Sequence, residues 1–135
     1  EILEATDYEV VHYELISDDL DGIKNSLIRV CDQNISLVLT TGGTGLSKRD
    51  NTPEATKAVI EKEVQGISEA MRYHSLQITP RAMLSRGVSG IRQNSLIINL
   101  PGSPKAVREK LEYIIPSLRH GLEILRGEAS NCARK

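Results

Sequence analysis

Residues 40–56 read Thr40-Thr41-Gly42-Gly43-Thr44-Gly45-Leu46-Ser47-Lys48-Arg49-Asp50-Asn51-Thr52-Pro53-Glu54-Ala55-Thr56, and this stretch decides how the rest of the chain is interpreted. The β-rich apolar run at residues 35–39 precedes it and predicts a buried strand. Thr52 is a good N-cap, and Pro53 suits the first helical position, where a missing N–H costs nothing. A strand, a glycine loop and a helix in this order are typical of ligand sites in open α/β sheets.

The loop between this strand and helix has the chemistry of an anion site. Gly42, Gly43 and Gly45 tolerate positive φ and leave backbone N–H groups uncovered, as an anion nest requires. Asp50 adds a carboxylate that could hold Mg²⁺ against phosphate oxygens. Further hydroxyls and positive charges come from Thr40, Thr41, Thr44, Lys48 and Arg49. The glycines alone leave an alternative open, a plain turn followed by a capped helix.

Two common phosphate-binding motifs are excluded. A P-loop requires Ser or Thr directly after its Gly-Lys pair, whereas Lys48 here follows Ser47 and precedes Arg49. The dinucleotide fingerprint requires a third glycine at position 48. Any nucleotide bound by this loop would therefore be held in another way.

Periodicity in the rest of the chain predicts an α/β fold. Residues 9–16 form a predicted strand, and residues 17–19 cap a helix that leads to the strand at 35–39, which implies a parallel pair. Helices are predicted at 53–65 and 67–76 with Gly66 as the break, at 79–86, and from 105 onward with a kink or restart at Pro116. Residues 87–92 and 95–100 flank Gln93-Asn94 as a hairpin. The predicted sheet is therefore mostly parallel and carries an antiparallel strand.

A second loop of small residues, Pro101-Gly102-Ser103-Pro104, follows the apolar strand at 95–100 and opens the last helix. Backbone N–H groups at a helix N-terminus favour a phosphate group. Two strands thus end in small-residue loops at helix starts. At one edge of a sheet, such loops could face each other across a single site.

Composition narrows the class of protein. The 135 residues are long enough for one domain, 1–135, with its own core, and 17 basic against 18 acidic side chains argue against a nucleic-acid or acidic-membrane binder. Phe and Trp are absent, so we expect an aliphatic core and no base-stacking platform. Cys31 and Cys132 have no metal-site spacing, and Cys31 is expected to pack in the core. No signal-peptide pattern or membrane-length apolar run is found, and a cytoplasmic location is expected.

Three motifs in order resemble the MoaB/Mog family of molybdenum cofactor proteins, which includes molybdopterin adenylyltransferases and a domain of gephyrin. They are residues 40–45 with Arg49-Asp50 and 52–56, Met83-Leu84-Ser85-Arg86 with Gly90-Ile91-Arg92, and the stretch 96–104. The resemblance extends from about residue 35 to 125 and implies a three-layer α/β/α domain. Family members begin with a further strand and an acidic loop, so the single domain is expected to lack its N-terminal strand and loop.

The resemblance implies Mg²⁺-dependent transfer of AMP from ATP to molybdopterin, giving adenylylated molybdopterin and pyrophosphate. It implies that Asp50 is catalytic and handles Mg²⁺. The substrate-binding residues that it implies are Thr41, Gly42, Gly43, Thr44, Gly45, Arg49, Thr52, Pro53, Glu54, Ser85, Arg86, Pro101, Gly102 and Ser103. Glu69, Arg72 and Tyr73 are candidates for a pocket rim. For Ser85 and Arg86 the alternative is a helix C-terminus, where Arg complements the dipole.

Two other functions are kept as alternatives. A non-catalytic molybdopterin-binding carrier or scaffold is one, because some relatives are domains of molybdenum insertion proteins or structural anchors. A small α/β domain that binds another phosphorylated ligand is the other, because glycine-loop matches carry false positives. The resemblance also implies a homotrimer and makes a molybdenum insertion protein a candidate partner. No nucleic-acid or membrane partner is expected.

Overall fold

The structure is a computed structural model, and it describes residues 8–127. These residues form four α-helices, four strands and one 3₁₀ helix. In chain order they are α1 (Leu20–Cys31), β1 (Leu37–Thr41), α2 (Thr52–Val59), β2 (Lys62–Glu63), α3 (Gln65–Leu76), the 3₁₀ helix (Pro80–Leu84), β3 (Ser89–Arg92), β4 (Ser95–Leu100) and α4 (Pro104–Leu125).

The four strands form one mixed sheet in the order β1-β4-β3-β2. All six residues of β4 are buried, and β4 pairs parallel with β1 and antiparallel with β3. The predicted hairpin and a sheet with both strand directions are thus confirmed. The antiparallel share is larger than predicted, because Lys62–Glu63 also pairs antiparallel with β3. Lys and Glu are poor strand formers, so sequence gives no signal for this short pairing.

Helices cover both faces of the sheet, and the predicted three-layer α/β/α arrangement is confirmed. Side chains alternate between the two faces along β4. Ile97 packs with α1 and α2, whereas Leu96, Ile98 and Leu100 pack with α3 and α4. The core is aliphatic, as expected for a chain without Phe or Trp. Cys31 is buried in the first of these clusters, as predicted.

The predicted strand at residues 9–16 is wrong, since this segment forms neither strand nor helix. Val11, Tyr13 and Leu15 are 63%, 80% and 85% exposed. Glu14 fastens the segment to α1 by accepting hydrogen bonds from Ser26 Oγ at 2.7 Å and Arg29 Nη2 at 2.6 Å. High β-propensity alone does not make a strand, because a strand also needs a neighbouring edge to pair with. The predicted parallel pair across α1 is therefore also wrong.

Helix α2 differs from its prediction at both ends. Thr52 is its first helical residue rather than its N-cap, and Asn51 caps it without a side-chain hydrogen bond. The amide of Thr52 instead donates to Gly43 O at 3.2 Å, which ties the helix start to the loop. The helix ends at Val59, so that the chain can pair with β3, and Gly66 lies inside α3 instead of breaking a helix.

The remaining helices follow their sequence signals closely. Asp19 caps α1 by accepting a hydrogen bond from the Gly22 amide at 2.8 Å, as predicted. Ser103 caps α4. This helix is 22 residues long and continues through Pro116 without ending there. Its buried face includes Leu111, Ile114, Leu118 and Leu122. Between residues 8 and 127, every helix is too short or too polar to span a membrane.

Candidate active site

The two small-residue loops meet at one edge of the sheet. β1 and β4 are parallel neighbours with Thr41 opposite Leu100, so both strands deliver their following loops to the same place. The amide of Gly42 donates to Leu100 O at 2.9 Å. A Cβ on Gly102 would lie 3.5 Å from the Cα of Gly42. The structure therefore brings the two predicted loops together as one site.

The glycine loop has a backbone conformation that strongly favours glycine. Gly42 and Gly43 have φ values of +86° and +72°, which L side chains rarely adopt. A Cβ on Gly43 would also overlap Thr52 Oγ1. The close packing of Gly43 against Thr52 explains why the loop and the start of α2 are tied together.

Several amides around this loop have no acceptor in the described part of the chain. The N–H groups of Gly43, Thr44 and Gly45 donate no hydrogen bond there, although Thr44 is only 6% exposed. Backbone amides near a protein interior are almost always paired. Consecutive unpaired amides in a turn with positive φ form the concavity that binds anions. The loop is therefore prepared for an anionic group.

Arg86 organises this loop instead of projecting freely into a ligand site. Its Nε donates to Gly45 O at 2.7 Å, its Nη2 to Asp50 O at 2.8 Å and its Nη1 to Glu54 Oε2 at 2.6 Å. Its backbone amide donates to Thr44 O at 2.8 Å. These contacts also go beyond the alternative prediction, a simple complement to a helix C-terminus. The Arg86 guanidinium hydrogen-bonded to Glu54 holds the pKa of that carboxyl below its ordinary value.

Asp50 closes a turn at the end of the loop. Its Oδ2 accepts the Ser47 amide at 2.9 Å, and its own amide donates to Ser47 O at 2.9 Å. Its Oδ1 accepts no hydrogen bond from residues 8–127. Arg49 is 84% exposed in its side chain and lies 3.6 Å from Asp18 Oδ2. The turn thus fixes one carboxylate oxygen of Asp50 and leaves the other available.

The sequence predicts Mg²⁺ at Asp50, so the oxygen atoms available around Asp50 are compared here with the ligands that Mg²⁺ prefers. Within residues 8–127, no group of three or more His, Cys, Asp or Glu side chains could enclose a metal ion. Mg²⁺ usually takes only one or two protein carboxylates and completes its shell with water and substrate phosphates. One free oxygen of Asp50 beside unpaired loop amides fits that mode of binding.

A cleft of about 320 Å³ lies beside α3, and Arg86, which bonds the glycine loop, forms part of its lining. Ser85, Arg86, Glu69 and Arg72 line it, whereas Tyr73 is 67% exposed and is not part of the lining. Arg72 Nη1 donates to Gly87 O at 3.0 Å and to Ser85 O at 3.4 Å. The predicted site residues therefore fall into two connected parts, the glycine-loop end and this cleft.

Asn99 supports the site, and the sequence predictions did not include it. It is 2% exposed. Its Nδ2 donates to Thr40 Oγ1 and Thr56 Oγ1, both at 3.0 Å, and its Oδ1 accepts the Val88 amide at 3.1 Å. One side chain thereby links β1, α2 and the chain before β3. Its only sequence signal is a polar residue in an otherwise apolar strand.

The sequence was compared with protein-family models and with curated proteins. Residues 1–120 match the family described as a probable molybdopterin binding domain. A molybdopterin adenylyltransferase of Helicobacter pylori J99 is 50% identical over 117 residues, which cover 86% of this chain and 66% of that protein. Gephyrin of Dictyostelium discoideum is 42% identical over 116 residues, which cover 86% of this chain and 16% of that protein. The chain thus spans less than two thirds of either relative.

Comparison with solved structures finds proteins with names of the same kind as the sequence comparison. A crystal structure of the molybdopterin biosynthesis enzyme MoaB from Thermus thermophilus superposes with a TM-score of 0.89 and 46% identity, covering 96% of this chain and 82% of that one. The molybdopterin biosynthesis Mog protein from Mycobacterium ulcerans superposes with a TM-score of 0.86 and is 34% identical. The superposition covers 91% of this chain and 80% of that one. These similarities extend over nearly all of the fold described above.

Proposed function

The chain belongs to the molybdopterin-binding domain family, and on that premise we propose that it transfers AMP from ATP to molybdopterin in molybdenum cofactor biosynthesis. In this reaction a phosphate oxygen of molybdopterin forms a bond to the α-phosphorus of ATP. The bond between the α-phosphorus and the bridging oxygen to the β-phosphate breaks, and pyrophosphate leaves. The attacking phosphate is already anionic, so it needs no strong general base.

The observation that carries this proposal is the pairing of two anion-binding elements at one edge of the sheet. The unpaired amides of Gly43, Thr44 and Gly45 lie on one side, and the capped N-terminus of α4 after Gly102 lies on the other. Both elements favour negative charge. Together they suit a reaction whose reactants and leaving group are all phosphates, because catalysis then depends mainly on positioning and charge stabilisation.

Each proposed substrate-binding residue has a role that fits its surroundings. The amides of residues 43–45 and 102–103 would hold phosphate oxygens, Gly42 would give the loop its shape through its positive φ, and the hydroxyls of Thr41, Thr44 and Thr52 would add contacts. Pro53 and Glu54 would shape the loop, since Glu54 is bound to Arg86. Ser85 would contribute from the cleft, and the exposed Arg49 would attract anionic substrates.

Asp50 is proposed as the catalytic residue that handles Mg²⁺. The turn to Ser47 orients its carboxylate, and its free Oδ1 would provide the protein ligand. When bound, Mg²⁺ supplies charge neutralisation at the phosphate oxygens. Asp50 is thus assigned an electrostatic role rather than that of a base.

The assembly and location of the protein are part of the same proposal. We expect a homotrimer in the cytoplasm, and a molybdenum insertion protein as the partner that receives the product. These expectations rest on the family resemblance. They can be tested by the mass of the protein in solution and by cofractionation with such a partner.

The test is an assay with molybdopterin, ATP and Mg²⁺ that follows adenylylated molybdopterin and pyrophosphate together. Asp50→Asn is compared with Asp32→Asn, which removes an equal charge at the exposed C-terminus of α1. We expect equal amounts of both products from the parent, a loss of at least about 10²-fold in Asp50→Asn, and little change in the control. Tight molybdopterin binding without product would contradict the enzyme and leave the carrier. Absence of product together with absence of molybdopterin binding would contradict the enzyme and the carrier alike.

A further inference from the structure

Lys110 on α4 is buried inside the domain. It is 5% exposed, and its Nζ donates to Ser75 Oγ at 2.9 Å, where Ser75 itself is 7% exposed. Lysine side chains are almost never fully buried unless they are paired. The ammonium group has three donors, and only this one is used within residues 8–127. The position therefore carries a cost in free energy that packing alone does not explain.

Arg72 on α3 is a second cation beside the same space. Lys110 and Arg72 both line a cavity of about 10 Å³, together with Met71, Asn99 and Pro101. In the described part of the chain, no carboxylate lies within ion-pairing distance of either cation. Burial, and then the charge of Arg72, lower the pKa of the Lys110 ammonium, and Glu109 only partly opposes them.

This cavity adjoins the cleft described above. Ser68, Arg72, Ser85 and Gly87 line both spaces. Arg72 uses only Nη1 in its contacts with Gly87 O and Ser85 O, which leaves donors for a ligand in the cleft. The cavity has room for about one water molecule, so Lys110 can reach a cleft ligand directly or through a single water. The acidic side chains on the cleft are Glu63 and Glu69, against the cations Lys57, Arg72 and Arg86.

We propose that Lys110 and Arg72 form an anion site at the base of the cleft, and that this site binds a phosphate group of the ligand. Two like charges in a region of low dielectric repel each other, and a phosphate dianion between them converts that repulsion into attraction. The site is separate from the amides of the glycine loop. It deepens the function proposed above and rests on it for the identity of the phosphorylated ligand.

The test is calorimetric titration with pyrophosphate, which supplies the phosphoryl group without requiring turnover. Lys110→Met keeps an unbranched side chain that is one atom shorter, and it removes the charge. Lys24→Met removes the same charge from α1, on the opposite face of the sheet. We expect Lys110→Met and Arg72→Met each to weaken pyrophosphate binding by about tenfold or more, and Lys24→Met by less than about twofold. Equal affinities in Lys110→Met and the parent would overturn the proposal, as would equal losses in Lys110→Met and Lys24→Met.

Stability separates this role from a structural one. An apolar residue of similar volume in place of a buried charge is often neutral or stabilising. We therefore expect Lys110→Met without ligand to unfold at the same denaturant concentration as the parent, or at a higher one. A purely structural lysine would instead give a less stable variant with unchanged pyrophosphate affinity.

A measurement on the parent protein covers the case in which the variant does not fold. The ¹⁵Nζ signal of Lys110 should shift when pyrophosphate is added, whereas that of Lys24 should not. An unmoved Lys110 signal at saturating pyrophosphate would overturn the proposal. Neither measurement uses molybdopterin, so failure of adenylyl transfer with Lys110-dependent pyrophosphate binding would reject the reaction and retain the site.

Discussion

Asn99 on β4 donates a hydrogen bond of 3.0 Å to Thr56 on α2, and both residues are almost completely buried, at 2% and 0% exposure. This bond crosses from the central strand to the helix that follows the glycine loop. Because Asn99 also binds Thr40 and the Val88 amide, one side chain joins three segments around the site. Asn99 therefore fixes the strand before the glycine loop and the helix after it, and Arg86 bonds the loop itself.

Replacing Asn99 with Leu should lower the free energy of unfolding by about 2–4 kcal/mol, since it leaves the Val88 amide and two hydroxyls without their buried partner. Asn25→Leu is the control, because Asn25 lies exposed on α1 and should change the free energy by no more than about 0.5 kcal/mol. Urea unfolding measures both. Equal stability of the two variants would show that the Asn99 bonds contribute nothing net.

Replacing Gly43 with Ala should destabilise the protein by about 1–3 kcal/mol, because the residue has positive φ and a Cβ would overlap Thr52 Oγ1. The control is Gly121→Ala in α4, where a Cβ meets nothing within 4 Å. That change should stabilise the helix by about 0.5–1 kcal/mol. Thermal unfolding should thus shift in opposite directions. Shifts in the same direction would contradict the proposed strain at Gly43.

The bond between Arg86 and Glu54 should make stability depend on pH in the acid range. The hydrogen bond lowers the pKa of the Glu54 carboxyl below its ordinary 4.5 in the folded state. The unfolded state then binds more protons, so the contribution is complete above 4.5 and is lost as the pH falls through the folded value. Glu54→Gln should be less stable than the parent at neutral pH, and the difference should shrink on acidification.

Urea unfolding at several pH values and at low ionic strength measures this difference, since salt screens an exposed pair. Glu63→Gln is the control, because Glu63 forms no ion pair within residues 8–127. A Glu54→Gln difference that stays constant from neutral to strongly acid pH would contradict the assignment.

Sequence predicted the parts of the fold that depend on local signals. The hairpin at Gln93-Asn94 and the cap of α1 at Asp19 are encoded within a few residues, and both form. The predictions of a strand at 9–16 and of the end of α2 were wrong, because both features depend on which edge of the sheet is free to pair. That information lies in distant segments, as the pairing of Lys62 with Ile91 illustrates.

The candidate site likewise has a part that local sequence predicts and a part that depends on distant residues. The glycine loop was predictable because Gly42 and Gly43 meet a local conformational need. The contacts of Arg86 with Gly45 and Asp50 span 41 and 36 positions, and no local pattern reports them. Lys110 falls on a helix face next to Leu111, where only the packing of α3 against α4 shows it to be buried.

The parallel pairing of β1 with β4 has a consequence for the time at which the site forms. Thr40 and Asn99 are bonded across 59 positions, so the glycine loop and its facing loop come from distant parts of the chain. Contacts of such long range carry a large loop-closure cost and form slowly. During synthesis the glycine loop would emerge well before β4. The site therefore cannot form before β4 has paired with β1, and a chain arrested before residue 100 would carry the motif without the pocket.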